Sequence, residues 1–450
     1  MFGYSRNKRS RYLFFSLSML PIFLILSSCS VPSLTSFHIG TAKTPTPLPV
    51  TSSLNVPICH LASCVNFTPI RGALPFADTG NNTHSFLSFD FDVNNPGAVA
   101  NDYDFVWNAG PYQYQTFRNA KPSLLLSYYI TAQRDDGQFY SQNQINSLSY
   151  WQQVHPEWVL YKCDRRTPAY EYGDPNVPFT LTNPAVLDWQ VANYVKPAED
   201  FGYDALAVDN VNMENLFNAC GYYDRPGHWV QRYTGEVSDP QWEDDMANWV
   251  SRMAKVVHSF PRPMMFIPNY SIGAGLKSPT APQEVIASSD AILDEGSFTH
   301  YGSYRLSGKA WVNMVYFIDS IQEQNKAFFS VNQYKLKAMT SDELQWIQGS
   351  YLMCNQHLEY LSIAAARGYG HAMTPQERIV PIGHALGEMY QQQSTYWRDF
   401  SNGEVIANPS IATVTITLPK GSSYVDPTGK SVGLTLSLPA TTARILFKKA

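Results

Sequence analysis

The 450-residue sequence is poor in charge. Only 15% of its residues are Asp, Glu, Lys or Arg, against 44% apolar, which describes a well-cored globular protein with a restrained surface. It has no excess of basic residues, and a net charge of −5 argues against nucleic acid and against an acidic polymer as partner. Metal-binding spacings are missing too: there is no Cys-x-x-Cys, no His-Glu-x-x-His, and the ten His are scattered, so no metal site and no cofactor is expected. The Gly-x-Ser-x-Gly stretch Gly429-Lys430-Ser431-Val432-Gly433 lies in the alternating C-terminal segment and not between a strand and a helix, so no nucleophile elbow is there to pair with His300, His357 or His371, as an esterase or deacetylase would need.

What is present begins with an address. Arg6, Lys8, Arg9 and Arg11 form a basic segment, residues 12–26 an apolar one too short for a span, and Leu26-Ser27-Ser28-Cys29 reads as a bacterial lipobox. The thiol of Cys29 would take a diacylglycerol and become the new N-terminus, leaving the protein on the outer face of the membrane by a lipid anchor or, with ordinary cleavage, secreted. Residues 30–60 are rich in Ser, Thr and Pro and read as a tether. Of the remaining cysteines, Cys59 and Cys64 are close enough for a local disulfide. Cys163 and Cys220 are placed to meet if both lie just beyond consecutive strands, and one thiol is left over. No signal sets the oligomeric state, and a monomer is expected.

From residue 61 to 397 short apolar runs alternate with stretches of helical spacing. The runs are 85–91, 103–108, 123–130, 158–163, 205–209, 264–269, 291–295 and 327–332, and several end in an acid or amide: Asp90, Asp164, Asp209 with Asn210, Asn269, Glu295 and Asn332. This cadence predicts an α/β fold, a (β/α)8 TIM barrel, whose chemistry sits at the carboxyl ends of the strands. Asn183-Pro184 predicts a helix start for 184–201, residues 241–259 have helical periodicity, and Ser341-Asp342-Glu343 opens a helix expected to run towards 366. Over 398–450 the period falls to two (Val414, Ile416, Leu418; Leu434, Leu436, Leu438; Ile445, Phe447), which predicts a small antiparallel β-sandwich.

Three blocks carry a resemblance. They are Trp158-Val159-Leu160-Tyr161-Lys162-Cys163-Asp164 with Asn183-Pro184-Ala185-Val186; Phe201-Gly202-Tyr203-Asp204-Ala205-Leu206-Ala207-Val208-Asp209-Asn210; and Ile292-Leu293-Asp294-Glu295-Gly296, followed by Arg398-Asp399-Phe400-Ser401-Asn402-Gly403 and Asn408-Pro409-Ser410. In this order they resemble the pattern of a bacterial family of glycoside hydrolases built on TIM barrels, over most of residues 85–450. The resemblance implies a hydrolase that cuts glycosidic bonds of a poly- or oligosaccharide, with Asp209 and Glu295 as its catalytic pair.

Glycosidic cleavage needs a proton donor for the leaving oxygen and a second carboxylate that attacks the anomeric carbon or activates water. Acids ending the fifth and seventh expected strands can supply both: Glu295 as acid, Asp209 as nucleophile or base. Acids at strand ends also cap helices and hold loops, and Asn210, Asn212 and Glu214 follow Asp209 closely. Asp294 and Glu295 lie on opposite faces of one strand; the resemblance favours Glu295, and periodicity alone does not choose. Asp90 and Asp92 share a face and suit sugar hydroxyls or a structural role. Asp164, beside Arg165 and Arg166, reads as the base of an ion-paired loop, with a subsite as the alternative. Trp107, Asn108, Tyr128, Tyr129, Asn269, Tyr270, Asn332 and Gln333 stand at strand ends, where rings and amides grip carbohydrate or simply pack. A composition of 14% aromatics suits either. A lipid-anchored barrel that binds glycan without cutting it is the competing expectation.

Overall fold

A computed structural model of the chain describes residues 83–88, 93, 95–137, 139, 145–171, 176–270, 276–334, 339–365, 373–421 and 423–449, all within the unit Cys59–Ala450. The expected lipobox with Cys29, the tether, the Cys59 and Cys64 pair, Asp90, Asp92 and His371 lie outside the described residues. Among the described residues no helix is long and apolar enough to cross a membrane.

Eight parallel strands form the barrel: β1 (His84–Leu87), β2 (Phe105–Val106), β3 (Leu125–Thr131), β4 (Ala205–Asp209), β5 (Met265–Pro268), β6 (Ala291–Asp294), β7 (Ala327–Tyr334) and β8 (Glu359–Ala365). Their ladder runs β5-β4-β3-β2-β1-β8-β7-β6. Closure is made where β5 meets β6: Asn269 bridges to Leu293 in parallel register and Tyr270 N donates to Leu293 O at 2.8 Å, while Asn269 N extends the β4–β5 ladder by donating to Val208 O at 2.7 Å.

One expected strand is not part of the barrel. Trp158 ends a short 3-10 turn, Pro156–Trp158, and Tyr161–Lys162 pairs antiparallel with Ala219–Tyr223, which in turn pairs with Trp229–Gln231. These pieces follow β3 and β4 and form a separate three-stranded sheet. Its run looked like a barrel strand because it is apolar on both sides, burying Trp158, Val159 and Tyr161 against Trp151, Val177, Phe179 and Val186. The disulfide Cys163–Cys220, with 5.0 Å between Cα atoms, staples this sheet and does not join consecutive barrel strands. Gly235, at φ +82°, lets the chain pass against both sulfurs; a Cβ there would sit 2.7 Å from each. The eighth barrel strand is instead Glu359–Ala365, inside the stretch expected to be helix. Helix Ser341–Cys354 ends early because Arg398, from far along the chain, donates to the carbonyls of Leu352, Met353 and Asn355 at 2.9–3.1 Å. Asp209 therefore ends the fourth strand and Glu295 follows the sixth.

Inside the barrel, bulky Phe86, Phe105, Phe329 and Tyr360 on β1, β2, β7 and β8 face Ala205, Ala207, Ala291 and Ala327. Large against small fills the cylinder at crystal-like density, and overpacking an alanine here would cost about 1–3 kcal/mol. The outer surface of the barrel forms a second core with the helices. Helix Pro240–Ser259 is capped by Asp239, and Pro184–Gln190 by Asn183, whose side chain accepts from Ala185 N at 3.0 Å. The expected 184–201 helix contains a π turn, Val191–Val195. Pro197 has no N–H for the carbonyl of Asn193, and Phe139 N occupies it at 3.2 Å.

The C-terminal sheet begins at Tyr390, earlier than the expected 398, and runs Tyr390–Gln392, Thr395–Phe400, Gly403–Asn408, Thr442–Lys448, Tyr424–Val425, Ser431–Val432 in spatial order. With the hairpin of Val414–Thr417 and Thr435–Leu438 it encloses Trp397, Ile406, Ile416, Leu418, Tyr424, Leu438 and Leu446. The alternate residues Val405, Ala407, Ala443 and Ile445 turn to the barrel's outer core. Gly349 lets helix Ser341–Cys354 lie on this sheet, since a Cβ there would come within 2.6 Å of that of Ala443.

Candidate active site

The strand period of two decides which residues face the barrel axis. On β4 the inward positions are Ala205 and Ala207, so Asp209 is next; on β5, Met265 and Ile267 lead to Asn269; on β6, Ala291 and Leu293 lead to Glu295. Three neighbouring strands thus place Asp, Asn and Glu one step above the apolar layer. Asp294, in phase with outward-facing Ile292, is buried and accepts from the backbone N–H groups of Gly296 and Ser297 in the loop that follows. The acid at the mouth is Glu295.

Asn269 ties the pair together. Its Nδ2 donates to Asp209 Oδ1 at 2.7 Å and lies 3.3 Å from Glu295 Oε2. Since both contacts share one nitrogen, those two carboxylate oxygens are at most 2.7 + 3.3 = 6.0 Å apart. Asp209 is further fixed by Tyr129, whose hydroxyl donates to Oδ2 at 2.6 Å, and by the backbone N–H of Asn210 to Oδ1 at 2.8 Å. Asn210 turns the chain here at φ +57°, a left-handed conformation that Asn tolerates better than most residues. Burial and the adjacent Asp209 carboxylate hold the Tyr129 phenol well above its ordinary range, so it remains a donor. Asp209, Asn269 and Glu295 are all partly exposed, which leaves the cluster open to solvent.

No protein-family model and no curated protein matches the chain. Among solved structures, it is similar to a maltogenic α-amylase from Thermotoga neapolitana (9% identity, 82% of this chain and 99% of that one, TM-score 0.45). It is also similar to an Anoxybacillus α-amylase (10%, 76% and 79%, 0.43) and to the glycoside hydrolase domain of PelA from Pseudomonas aeruginosa (10%, 64% and 98%, 0.41). These are likenesses of overall fold alone.

Other strand-end residues separate by the same parity. Tyr128 and Tyr270 point outward into the barrel–helix core and are almost fully buried, Tyr128 against Phe139 and Tyr203, so neither reaches the mouth. Asn332 is fully buried as well: its Nδ2 donates to Ser330 Oγ and its Oδ1 accepts from Phe298 N, a loop-holding role. Trp107 faces inward but packs among the barrel aromatics at 1% exposure. Asn108 stays partly exposed beside it. Asp164 is on the inserted sheet, exposed, and accepts from Arg166 N, Thr167 N and Thr167 Oγ1; these bonds pull its carboxyl down to about 2 and make it a turn residue. Arg398 and Asn408, prominent in the sequence blocks, have structural roles: Arg398 caps helix Ser341–Cys354, and Asn408 Nδ2 donates to the carbonyls of Ala412, Leu438 and Pro439 in the C-terminal sheet region.

Beyond Tyr129 the structure adds a buried charged group that strand-end reasoning did not single out. Asp136 accepts from Thr131 N and Oγ1 at 2.6 and 2.7 Å and from Arg134 Nε at 2.9 Å, and Arg134 in turn lies 3.4 Å from Glu171. Thr131 pairs with Asp209 across β3 and β4, so this group braces the wall behind the acid. Burial raises the Asp136 carboxyl, with Arg134 opposing. The run Gln133-Arg134-Asp135-Asp136 directly after a barrel strand was the available signal. A small cavity lined by Ser85, Tyr103, Leu361, Ile363, Met373 and Glu377 lies outside the barrel wall, away from the acid pair.

Proposed function

We propose that the chain is a glycoside hydrolase, a member of the TIM-barrel family it resembles, cutting an extracellular poly- or oligosaccharide with retention of anomeric configuration. The observation that carries this is the single amide of Asn269 shared by Asp209 and Glu295. Its two contacts hold one oxygen of each acid within 6.0 Å of the other, a closeness that supports the short carboxyl spacing of about 5–5.5 Å used for direct attack over the roughly 6.5–9.5 Å that leaves room for a water.

In this reading Glu295 transfers its proton to the glycosidic oxygen as the C1–O bond breaks, and an Asp209 oxygen forms a bond to C1. The aglycone leaves as an alcohol, and a glycosyl ester remains on Asp209. Glu295, now a carboxylate, then takes a proton from water as that water's oxygen bonds to C1 and the ester bond breaks. Asp209 suits the attacking role because three donors orient it. Tyr129 and Asn269 hold it by donating hydrogen bonds to its two oxygens. The disulfide in the inserted sheet fits a protein that works outside the cytoplasm, as the Cys29 lipobox proposes.

The test is a hydrolysis screen over neutral polysaccharides with the full-length protein, Asp209→Asn and Glu295→Gln, with proton NMR of the first product formed. Loss of at least about 1000-fold in each variant, and a product of the substrate's own anomeric configuration, support the reading. Activity surviving both substitutions rejects the acid pair; an inverted product rejects the direct-attack mechanism. Glycan binding with no hydrolysis by the unmutated chain transfers the case to the non-catalytic alternative.

A further inference from the structure

The loop after Glu295 has an uncommon shape for the sequence it contains. Ser297, His300 and Tyr301 all adopt positive φ (26°, 40° and 55°), followed by Gly302 at 69°. Side-chain-bearing residues rarely take such angles, and clusters of them are held in place by surrounding bonds. Here the bonds are explicit. Thr299 N and His300 N both donate to Gly296 O at 3.2 and 2.6 Å, Ser303 N to His300 O at 3.0 Å, Phe298 N to Asn332 Oδ1 at 3.1 Å, and Gln333 N to Thr299 Oγ1 at 2.8 Å.

The result is a set of aromatic rings turned to solvent. Tyr301 is 43% exposed and Tyr304 56%. The Tyr304 ring stacks on His300 at 4.3 Å and 18°, which fixes one face and leaves the other available, and Tyr301 meets the same imidazole edge-on at 5.6 Å. Tyr301 is also set against the backbone one residue from the acid: its Cε2 lies 3.4 Å from where a Cβ on Gly296 would be, a close approach that glycine permits. Both rings keep a large share of their surface in solvent. Flat aromatic faces are what the C–H faces of a pyranose stack on, with hydroxyls left to water.

We propose that Tyr301 and Tyr304 form a sugar-stacking subsite on the Glu295 side of the cleavage point, so that the substrate is a glycan chain extending past the bond cut and not a small glycoside. This rests on the glycoside hydrolase reading and deepens it. The experiment is native affinity electrophoresis of the full-length protein in gels containing soluble starch, hydroxyethyl cellulose, glycol chitosan or xylan, with Tyr301→Ala/Tyr304→Ala, Tyr301→Phe/Tyr304→Phe, and Glu295→Gln alongside.

The expected outcome is retardation of the unmutated chain by at least one polymer, weakened about 10-fold in the alanine pair and kept in the phenylalanine pair and in Glu295→Gln. Equal retardation of the alanine pair, or no retardation of the unmutated chain by any of the four, overturns the subsite. Tyrosine-dependent retardation by a chain that hydrolyses nothing leaves the subsite standing and removes the hydrolase. Hydrolysis that requires both acids while KM is unaffected by the alanine pair does the reverse.

Discussion

Replacing Asn269 by Ala isolates the contact on which the mechanism turns. The substitution removes a donor to two carboxylates, one bond at 2.7 Å and one at 3.3 Å. A hydrogen bond to a charged group contributes about 1.5–3 kcal/mol, and the longer contact adds less, so about 2–4 kcal/mol of transition-state stabilisation is lost. That corresponds to a fall of about 30- to 1000-fold in kcat/KM. Structure should change little, because the barrel uses only the backbone here: the Asn269 N–H to Val208 O at 2.7 Å and the Tyr270 N–H to Leu293 O at 2.8 Å both survive truncation of the Asn269 side chain. The melting temperature is therefore expected to move by less than about 3 °C. Asn269→Asp is a harsher perturbation: it exchanges the donor for a third carboxylate within hydrogen-bonding distance of Asp209 and should abolish turnover. Initial rates on the polysaccharide found by the screen, with differential scanning calorimetry of the same preparations, check both halves. A value of kcat/KM for Asn269→Ala within about threefold of the unmutated chain, with Asp209→Asn inactive, would refute the bridging role.

Stability should depend on pH through Asp319. Burial raises its carboxyl to about 7, so the folded state binds the proton more tightly than the unfolded chain. Its contribution is full below about pH 4 and is lost as pH rises through 7, up to about 2–4 kcal/mol. Buried Glu359 is shifted in the same direction, with burial the leading cause. Denaturant midpoints of the unmutated chain and Asp319→Asn, measured from pH 4 to 8, should diverge towards the alkaline end; parallel curves contradict the assignment. Arg398→Ala should destabilise by more than about 3 kcal/mol, because it uncaps buried carbonyls of Leu352, Met353 and Asn355. Lysine at 398 should recover little of this in thermal unfolding, having no planar fork to span three acceptors. Cys29→Ser should move the protein from the membrane to the soluble fraction on cell fractionation, and a variant that stays with the membrane argues for an uncleaved helix.

Much of the barrel was legible because inward and outward residues alternate in plain view. Ala205, Ala207 and Asp209 on β4, and Ala291 and Leu293 on β6 with Glu295 just after it, read as two apolar residues leading to an acid. The same rule resolves the choice between Asp294 and Glu295 once the inward phase of β6 is known, and that phase is set by neighbouring strands. Errors arose where the deciding contact is distant in sequence. Strand β8 was hidden because helix Ser341–Cys354 is terminated by an arginine 44 positions beyond Cys354, counted as 398 − 354. Local spacing through residue 366 therefore looks like one continuous apolar segment. Residues 158–163 had the composition of a barrel strand because the inserted sheet has its own core, and composition reports burial without reporting what does the burying.

Residues that look alike at strand ends illustrate the same limit. Tyr128 and Tyr129 are adjacent and chemically identical. One turns outward to Phe139 and Tyr203, and the other reaches Asp209 at 2.6 Å. Only the register of β3 against β4, where Tyr129 pairs with Ala207, separates a core residue from a member of the acid cluster. A one-residue slip of that register would exchange their roles and remove the donor from Asp209. Tyr129→Phe is thus a sharper probe of the site than truncation of Tyr128, which would only open the outer core. The pairing of β3 and β4 sets the chemistry at the mouth as directly as the identity of the acids does.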